Sequence, residues 1–309
     1  MPRDAARRRL TRLASAIGVV IGVAGVVFVV RTLVSRSDEV ADAWSALEAP
    51  RLVLAVVLGA AAMWWIGRLW SGLLGADQSR PPTRRTMAWY FTGQLGKYVP
   101  GGIWPIVGRS EMAVRGGAER GTAYAATTLS MATTYGAAAL VGGIGSLVSW
   151  RYPLAGVAAT AAVVCGVLSP SIPLVGSTAT RLFSRLGTPP STISLARLVA
   201  AHAPSWVLIS LATQVTASAF GADIGFAHML CASSLSWLVG FLVVGVPGGI
   251  GVREAVFAAL VSPSVPTGVA VSVAVASRVV FIVVDVACAA IAGLIAGRSA
   301  ARRTGSAEA

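Results

Sequence analysis

Charge is what this sequence has least of. Asp, Glu, Lys and Arg make up 12% of its 309 residues, about half the roughly 25% of a soluble globular chain. Mean hydropathy is +0.75 and the uncharged runs are long, so lipid is the expected solvent. The length suits six to eight spans with short loops and leaves no room for a catalytic domain outside the membrane. Lysine is nearly absent: of 25 basic residues only Lys97 is one. Cys165, Cys231 and Cys288 lie far apart in apolar stretches, which excludes a metal-ligand spacing and a disulfide framework. His202 and His228 have no carboxylate at helical spacing and read as packing residues. HExxH, phosphate-binding-loop and nucleophile-elbow patterns are missing, as are paired catalytic carboxylates. These absences argue against an enzyme, and no cofactor or metal is expected.

What charge there is sums to +13. The arginines collect at the ends of apolar runs, so topology signals and contact with anionic headgroups are expected rather than nucleic acid. Runs of spanning length, about 20 apolar residues, are Leu13–Val34, Leu52–Leu74, Gly121–Trp150, Pro153–Val175, Leu198–Phe220 and Val265–Gly297. The first follows Arg7, Arg8, Arg9 and Arg12 as a signal peptide would. No small-residue cleavage site precedes Arg31 and more spans follow, so it reads as a retained signal-anchor. The Trp residues at 64, 65, 70, 89 and 104 suit interfacial aromatic belts, and Arg68 suits snorkelling from a helix end.

Two further apolar stretches are broken, at Val99-Pro100-Gly101-Gly102-Ile103 and at Val246-Pro247-Gly248-Gly249-Ile250. Proline removes a backbone donor and glycine loosens a helix. In hydrocarbon such backbone survives only inside protein or beside a wet cavity. With both breaks read as re-entrant hairpins and the N-terminus inside, the arginines at 3–12, 80–85, 109–120, 181–197 and 298–303 fall on the cytoplasmic face. Arg31, Arg36, Arg51 and Arg151 fall outside, where the first loop carries Asp38, Glu39, Asp42 and Glu48. That satisfies the positive-inside rule and places both termini in the cytoplasm, in the inner membrane.

The second break repeats the first at an offset of 147 (99 to 246), and Gly108-Arg109-Ser110-Glu111 corresponds loosely to Gly251-Val252-Arg253-Glu254. Each half then contains two spans, a broken hairpin and one span: 1–150 and 151–309. Three full spans per half turn the second half upside down. The expected fold is therefore all-α and polytopic, six spans plus two re-entrant hairpins in an inverted repeat, with no soluble domain. In such repeats, interrupted segments at matching positions mark the binding site. The competing reading is a pair of tight turns between short helices.

Gly93-Gln94-Leu-Gly-Lys97-Tyr-Val-Pro100-Gly-Gly-Ile-Trp104-Pro, with Arg109 and Glu111 after it, resembles the first signature of the lysylphosphatidylglycerol synthase transmembrane-region family, also called flippase-like. Pro247-Gly-Gly-Ile-Gly-Val-Arg253-Glu254-Ala resembles its second, more specific signature. The resemblance covers nearly the whole chain. It implies spanning helices with two re-entrant hairpins, and translocation of lipids such as aminoacylated phosphatidylglycerol. Many members carry Asn before the first proline and a Gly-Glu/Asp pair before the arginine, where this chain has Gln94 and Gly108-Arg109-Ser110-Glu111. The aminoacyltransferase domain of the bifunctional members is absent from the sequence, so the lipid cannot be carried over from them. Related membrane domains accompany polyprenyl-phosphate glycosyltransferases, which keeps such a carrier in view.

An ionisable residue at the bilayer centre costs about 2.5–3.5 kcal/mol on insertion scales and is a functional candidate by default. Arg278 and Asp285 share a face of the last helix, two turns apart. Either they line a cavity where Arg278 meets a lipid phosphate, or Arg278 is fixed in a structural pair with Glu254 or Asp285. Arg253 and Glu254 follow the second break, where a half-helix N-terminus would add to an anion site; a local ion pair between them is the alternative. Lys97 either meets phosphate or snorkels, and Arg109 and Glu111 either receive the lipid at the cytoplasmic mouth or merely anchor the loop. The headgroup-binding candidates are thus Lys97, Arg109, Glu111, Arg253, Glu254, Arg278 and Asp285, with breaks at Pro100, Gly101, Gly102, Pro247, Gly248 and Gly249. The expected partner is a membrane lipid, either a phospholipid or a polyprenyl-phosphate lipid. The expected function is flippase-like translocation of an anionic or aminoacylated lipid. The alternative is a subunit that presents such a carrier to a separate glycosyltransferase or lipid synthase.

Overall fold

The computed structural model describes residues 2–75, 82–99, 102–169, 191–243 and 246–305, with backbone alone for 2–18 and 298–305, and among them eleven α-helices follow one another. They are α1 (Pro2–Ser35), α2 (Ser37–Ser45), α3 (Ala49–Leu73), α4 (Thr83–Gln94), α5 (Trp104–Arg115), α6 (Arg120–Ser149), α7 (Pro153–Leu168), α8 (Thr192–Ala219), α9 (Phe226–Leu242), α10 (Val252–Val261) and α11 (Thr267–Gly305). No strand occurs among the described residues. The helix ends obey local chemistry. Proline stands in the first turn of α3 and α7, where its missing N–H costs nothing. Glu119 caps α6 by accepting from the Gly121 and Thr122 amides, and Ser191 caps α8 by accepting from Ser194. Trp150 closes α6 in the left-handed conformation, φ 53°.

Among the described residues, four helices are long and apolar enough to cross a membrane: α3, α6, α8 and residues 267–297 of α11. Residues 19–35 of α1 together with α2 would make a fifth across an 80° bend. These account for the expected runs at 13–34, 52–74, 121–150, 198–220 and 265–297. The run expected at Pro153–Val175 is described only in part, as the 16-residue α7, because residues 170–190 lie outside the described ones. So do Pro100 and Gly101 of the first break.

Small residues set the helix spacing, as expected where lipid supplies no hydrophobic drive between helices. A Cβ on Gly145 of α6 would stand 2.6 Å from the Ala227 carbonyl oxygen of α9, and one on Gly143 would stand 3.1 Å from the Gly156 carbonyl of α7. Thus α6 packs against α9 on one side and α7 on the other. Gly59 of α3 likewise admits Phe281 and Val284 of α11.

The two broken stretches share one plan. Residues 83–149 run helix, break, short helix, long helix (α4, α5, α6), and residues 226–305 do the same (α9, α10, α11). In each, the short arm folds back on the arm before it: α5 packs on α4, and α10 on α9. The halves also exchange partners, since α4 packs against α11 and α9 against α6. At 12 residues α4 and α5 are each about 18 Å long at 1.5 Å per residue, too short to cross hydrocarbon about 30 Å thick. The tips of the two folded pairs meet, with Gly248 facing the Lys97 carbonyl and the Tyr98 ring.

Candidate functional site

In each folded pair a glycine lets an arginine of the returning arm lie flat on the first. A Cβ on Gly93 would run into Arg109, at 3.1 Å from its amide nitrogen, and one on Gly240 would stand 2.9 Å from the Arg253 Cβ. Each arginine then covers an aromatic ring of that first arm. The Arg109 guanidinium lies 4.3 Å from the Tyr90 ring centre, and that of Arg253 lies 3.5 Å from Trp237 and 5.5 Å from Phe281. Tyr90 and Gly93 precede Pro100 by the same ten and seven residues by which Trp237 and Gly240 precede Pro247. The repeat therefore extends beyond the five-residue match to an aromatic, a glycine and a seated arginine.

The second break is built by glycine: Gly248, Gly249 and Gly251 hold φ of 54°, 69° and 82°, a region that other residues rarely adopt. Gly251 is the N-cap of α10, and the Glu254 carboxylate accepts its amide at 2.7 Å. The helix N-terminus expected to receive a ligand is thus occupied by the chain's own carboxylate. Glu254 also meets Arg278 Nη1 at 3.2 Å, and the same nitrogen donates to the Gly248 carbonyl at 2.7 Å. From the first pair, Lys97 Nζ lies 2.6 Å from Asp285 Oδ2, which also accepts from the Tyr98 hydroxyl at 2.5 Å. Helix α11 consequently clamps both tips, with a carboxylate toward the first and a guanidinium toward the second.

The structure pairs Arg278 with Glu254 and also sets it on a cavity wall. It does not join Arg278 to Asp285, although the two share a helix face, because Lys97 takes Asp285. Arg253 and Glu254, adjacent in sequence, form no ion pair with each other. Arg253, 9% exposed, has no carboxylate partner among the described residues. Arg109, 3% exposed, donates to Gln94 Oε1 and is buried rather than standing at a mouth. Lys97 is interior, its side chain 13% exposed, and does not snorkel. Glu111 lies apart from the cluster, bound by Arg120 and the Tyr124 hydroxyl.

Three cavities surround Trp237. The largest, about 70 Å³, is lined by Gln94, Lys97, Arg109, Ser130 and Tyr135 among others. A second, about 30 Å³, brings Lys97, Arg253 and Arg278 together with Gly248. The third is about 10 Å³, beside Arg253 and Glu254. At roughly 10–15 Å³ per water the first admits several waters or one small polar group. The lining residues Met63 of α3, Ser130 and Thr134 of α6, and Trp206 and Ile209 of α8 lie near the middle of helices long enough to span, as do Arg278 and Asp285 of α11. Four cations (Lys97, Arg109, Arg253, Arg278) against two carboxylates (Glu254, Asp285) thus lie halfway along the spanning helices.

The sequence reading missed Tyr90, Tyr98, Trp237 and Phe281. Their signal was present in the first and third of these, at matching distances before the prolines. One expectation is corrected: Trp70 is no belt residue but fully buried, its Nε1 donating to Thr127 Oγ1 at 2.9 Å, whereas Trp64 and Trp104 are exposed. His202 and His228 bond backbone carbonyls of Leu198 and Leu260, and Arg68 reaches the Thr83 hydroxyl. A family model described as lysylphosphatidylglycerol synthase TM region matches residues 15–289. No curated protein matches the chain.

Proposed function

The chain belongs to the lysylphosphatidylglycerol synthase TM region family, and from that premise we propose that it translocates a polar-headed lipid, anionic or aminoacylated, across the cytoplasmic membrane. One observation carries this reading: two broken helix pairs meet halfway along the spanning helices around buried cations that outnumber their carboxylates. A buried charge is costly unless paired, so an excess of cations beside open space is suited to a ligand that brings negative charge. Arg253 lies over the Trp237 ring with no carboxylate partner among the described residues, and a guanidinium binds a phosphate oxygen pair in a fork. The headgroup occupies the polar seam while its acyl or prenyl tails remain in the bilayer.

This reading includes the finer architecture: six spans, two re-entrant hairpins and an inverted repeat. The exchanged packing of α4 on α11 and α9 on α6 supports it. It also includes cytoplasmic termini, from the arginine distribution, and a transport rather than a catalytic role. The test is transbilayer exchange of fluorescent lipids in proteoliposomes against protein-free vesicles. Exchange well above the protein-free rate supports translocation. No exchange from well-inserted protein, with a glycosyltransferase or lipid synthase co-purifying, would replace it with the carrier-presenting subunit.

A further inference from the structure

Resting on that reading, we infer that the cavity under Arg109 is selective for a phosphate-bearing anionic headgroup and rejects a cationic, aminoacylated one. The polar groups that line it are nitrogen donors, hydroxyls that can donate, and one amide. Arg109 Nε, Ser130 Oγ and Trp237 Nε1 are buried without a hydrogen-bond partner, and all three residues face this one cavity. Arg109 and Ser130 are 3% and 1% exposed. Lys97 Nζ adds donors of its own, since an ammonium carries three and Asp285 Oδ2 meets it from one direction. An unpartnered buried polar group costs about 1–3 kcal/mol, so several converging donors specify a ligand rich in acceptors.

Acceptors for an ammonium on the same walls are neutral ones. No Asp or Glu among the described residues lines the cavity, and the one amide oxygen, Gln94 Oε1, already accepts from Arg109. Beyond neutral hydroxyls, an ammonium could be held over an aromatic face, and the protein's own cations occupy two of those. Arg109 covers Tyr90, while Arg253 and Lys97 cover Trp237. Tyr135 packs against Phe241, ring centres 4.3 Å apart and planes tilted by 40°. A lysyl ester would add ammonium groups beside Lys97 and Arg109 with nothing to neutralise them. A phosphate brings only acceptor oxygens and opposite charge.

Intrinsic tryptophan fluorescence of the full chain in detergent provides a binding readout, because Trp206 and Trp237 line the cavity. The probes are short-chain phosphatidic acid, short-chain phosphatidylglycerol, short-chain lysylphosphatidylglycerol and inorganic phosphate. The two anionic lipids are expected to bind at least about tenfold more tightly than the lysyl lipid, the equivalent of one charge-assisted hydrogen bond. Gln94→Glu places a carboxylate against Arg109 with almost no change of shape. It should weaken the anionic lipids about tenfold and narrow the gap to the lysyl lipid. Ser130→Ala, which leaves the charges in place, should weaken the anionic lipids by a smaller factor. Equal or tighter binding of the lysyl lipid, or indifference to Gln94→Glu, overturns the inference.

Exchange in proteoliposomes with the same lipids separates this inference from the reading beneath it. Exchange of both lipid classes at equal rates overturns the selectivity and leaves translocation standing. Selective binding without exchange of any lipid upholds the anion site and overturns translocation. Inorganic phosphate binding as tightly as the lipids would assign the site to a soluble anion and overturn its assignment to a headgroup.

Discussion

Asp285→Asn removes the charge from one partner of the interior pair and leaves Lys97 with no carboxylate. At 2.6 Å and an effective dielectric of about 20, the attraction between the two charges is roughly 6 kcal/mol. Taking each ion out of water costs several kcal/mol, so the intact pair contributes little net stability. The single substitution does not share that balance. It retains the desolvation of Lys97, forfeits the attraction, and leaves a cation in the cavity that Arg253 and Arg278 also line. The expected loss is about 3–5 kcal/mol, with the tip of the first folded pair released from α11. Lys97→Met with Asp285→Asn removes both charges and should recover most of that loss. Equilibrium unfolding in mixed micelles for the wild type, both single variants and the double variant gives the coupling energy directly. Costs below about 1 kcal/mol for Asp285→Asn, or simple additivity in the double variant, would refute the pairing. The double variant also separates roles: recovered stability without lipid exchange would show that Lys97 meets the headgroup as well as the carboxylate.

Three further outcomes follow from particular contacts. Gly249→Ala puts a Cβ 2.6 Å from the Gly240 carbonyl at φ 69°, so it should cost about 1–3 kcal/mol and lower the melting temperature in detergent, whereas alanine at Gly293, where a Cβ meets nothing, should leave it unchanged. Trp70→Phe replaces a fully buried indole by a smaller ring and loses the donor to Thr127; the cavity and the lost hydrogen bond together should cost about 2–3 kcal/mol of stability, measured by the same unfolding. Hydrogen bonds from the Thr122 and Gly121 amides hold the Glu119 carboxyl below its ordinary value. A lowered folded pKa means that this stabilisation is complete above the ordinary carboxylate range and is lost as pH falls through the lowered value. The melting-temperature gap between wild type and Glu119→Ala should therefore be open at neutral pH and close on acidification.

Much of the architecture was legible because lipid imposes a length and forbids stray charge. The runs at Leu52–Leu74 and Gly121–Trp150 became α3 and α6 almost to the residue, and Pro-Gly-Gly marked the second break where glycines hold left-handed backbone. Rarity likewise exposed Lys97, Arg253, Arg278 and Asp285 as site candidates. Partner choice was not legible. Helical periodicity joined Arg278 to Asp285, but Lys97, remote in sequence, arrives from the first tip to claim that carboxylate. Aromatic residues were ambiguous for another reason: an interfacial belt and a buried stacking platform use the same side chain. Trp70 and Trp237 differ from Trp64 in tertiary neighbours, which no local pattern reports. The partners of Glu111 were illegible for the same reason, since Arg120 and Tyr124 reach it from the next helix.

A headgroup site built jointly by both folded pairs, as proposed, needs an arginine from each, so lipid exchange is measured with one arginine altered in each pair. Arg109→Gln and Arg253→Gln, reconstituted separately at equal density, are compared with wild type using fluorescent phosphatidylglycerol. Both variants should insert and stay monodisperse, and each should lose at least about tenfold in exchange rate, the worth of one charge-assisted contact. Wild-type exchange by both variants would contradict the account, and loss in only one would confine the site to a single pair.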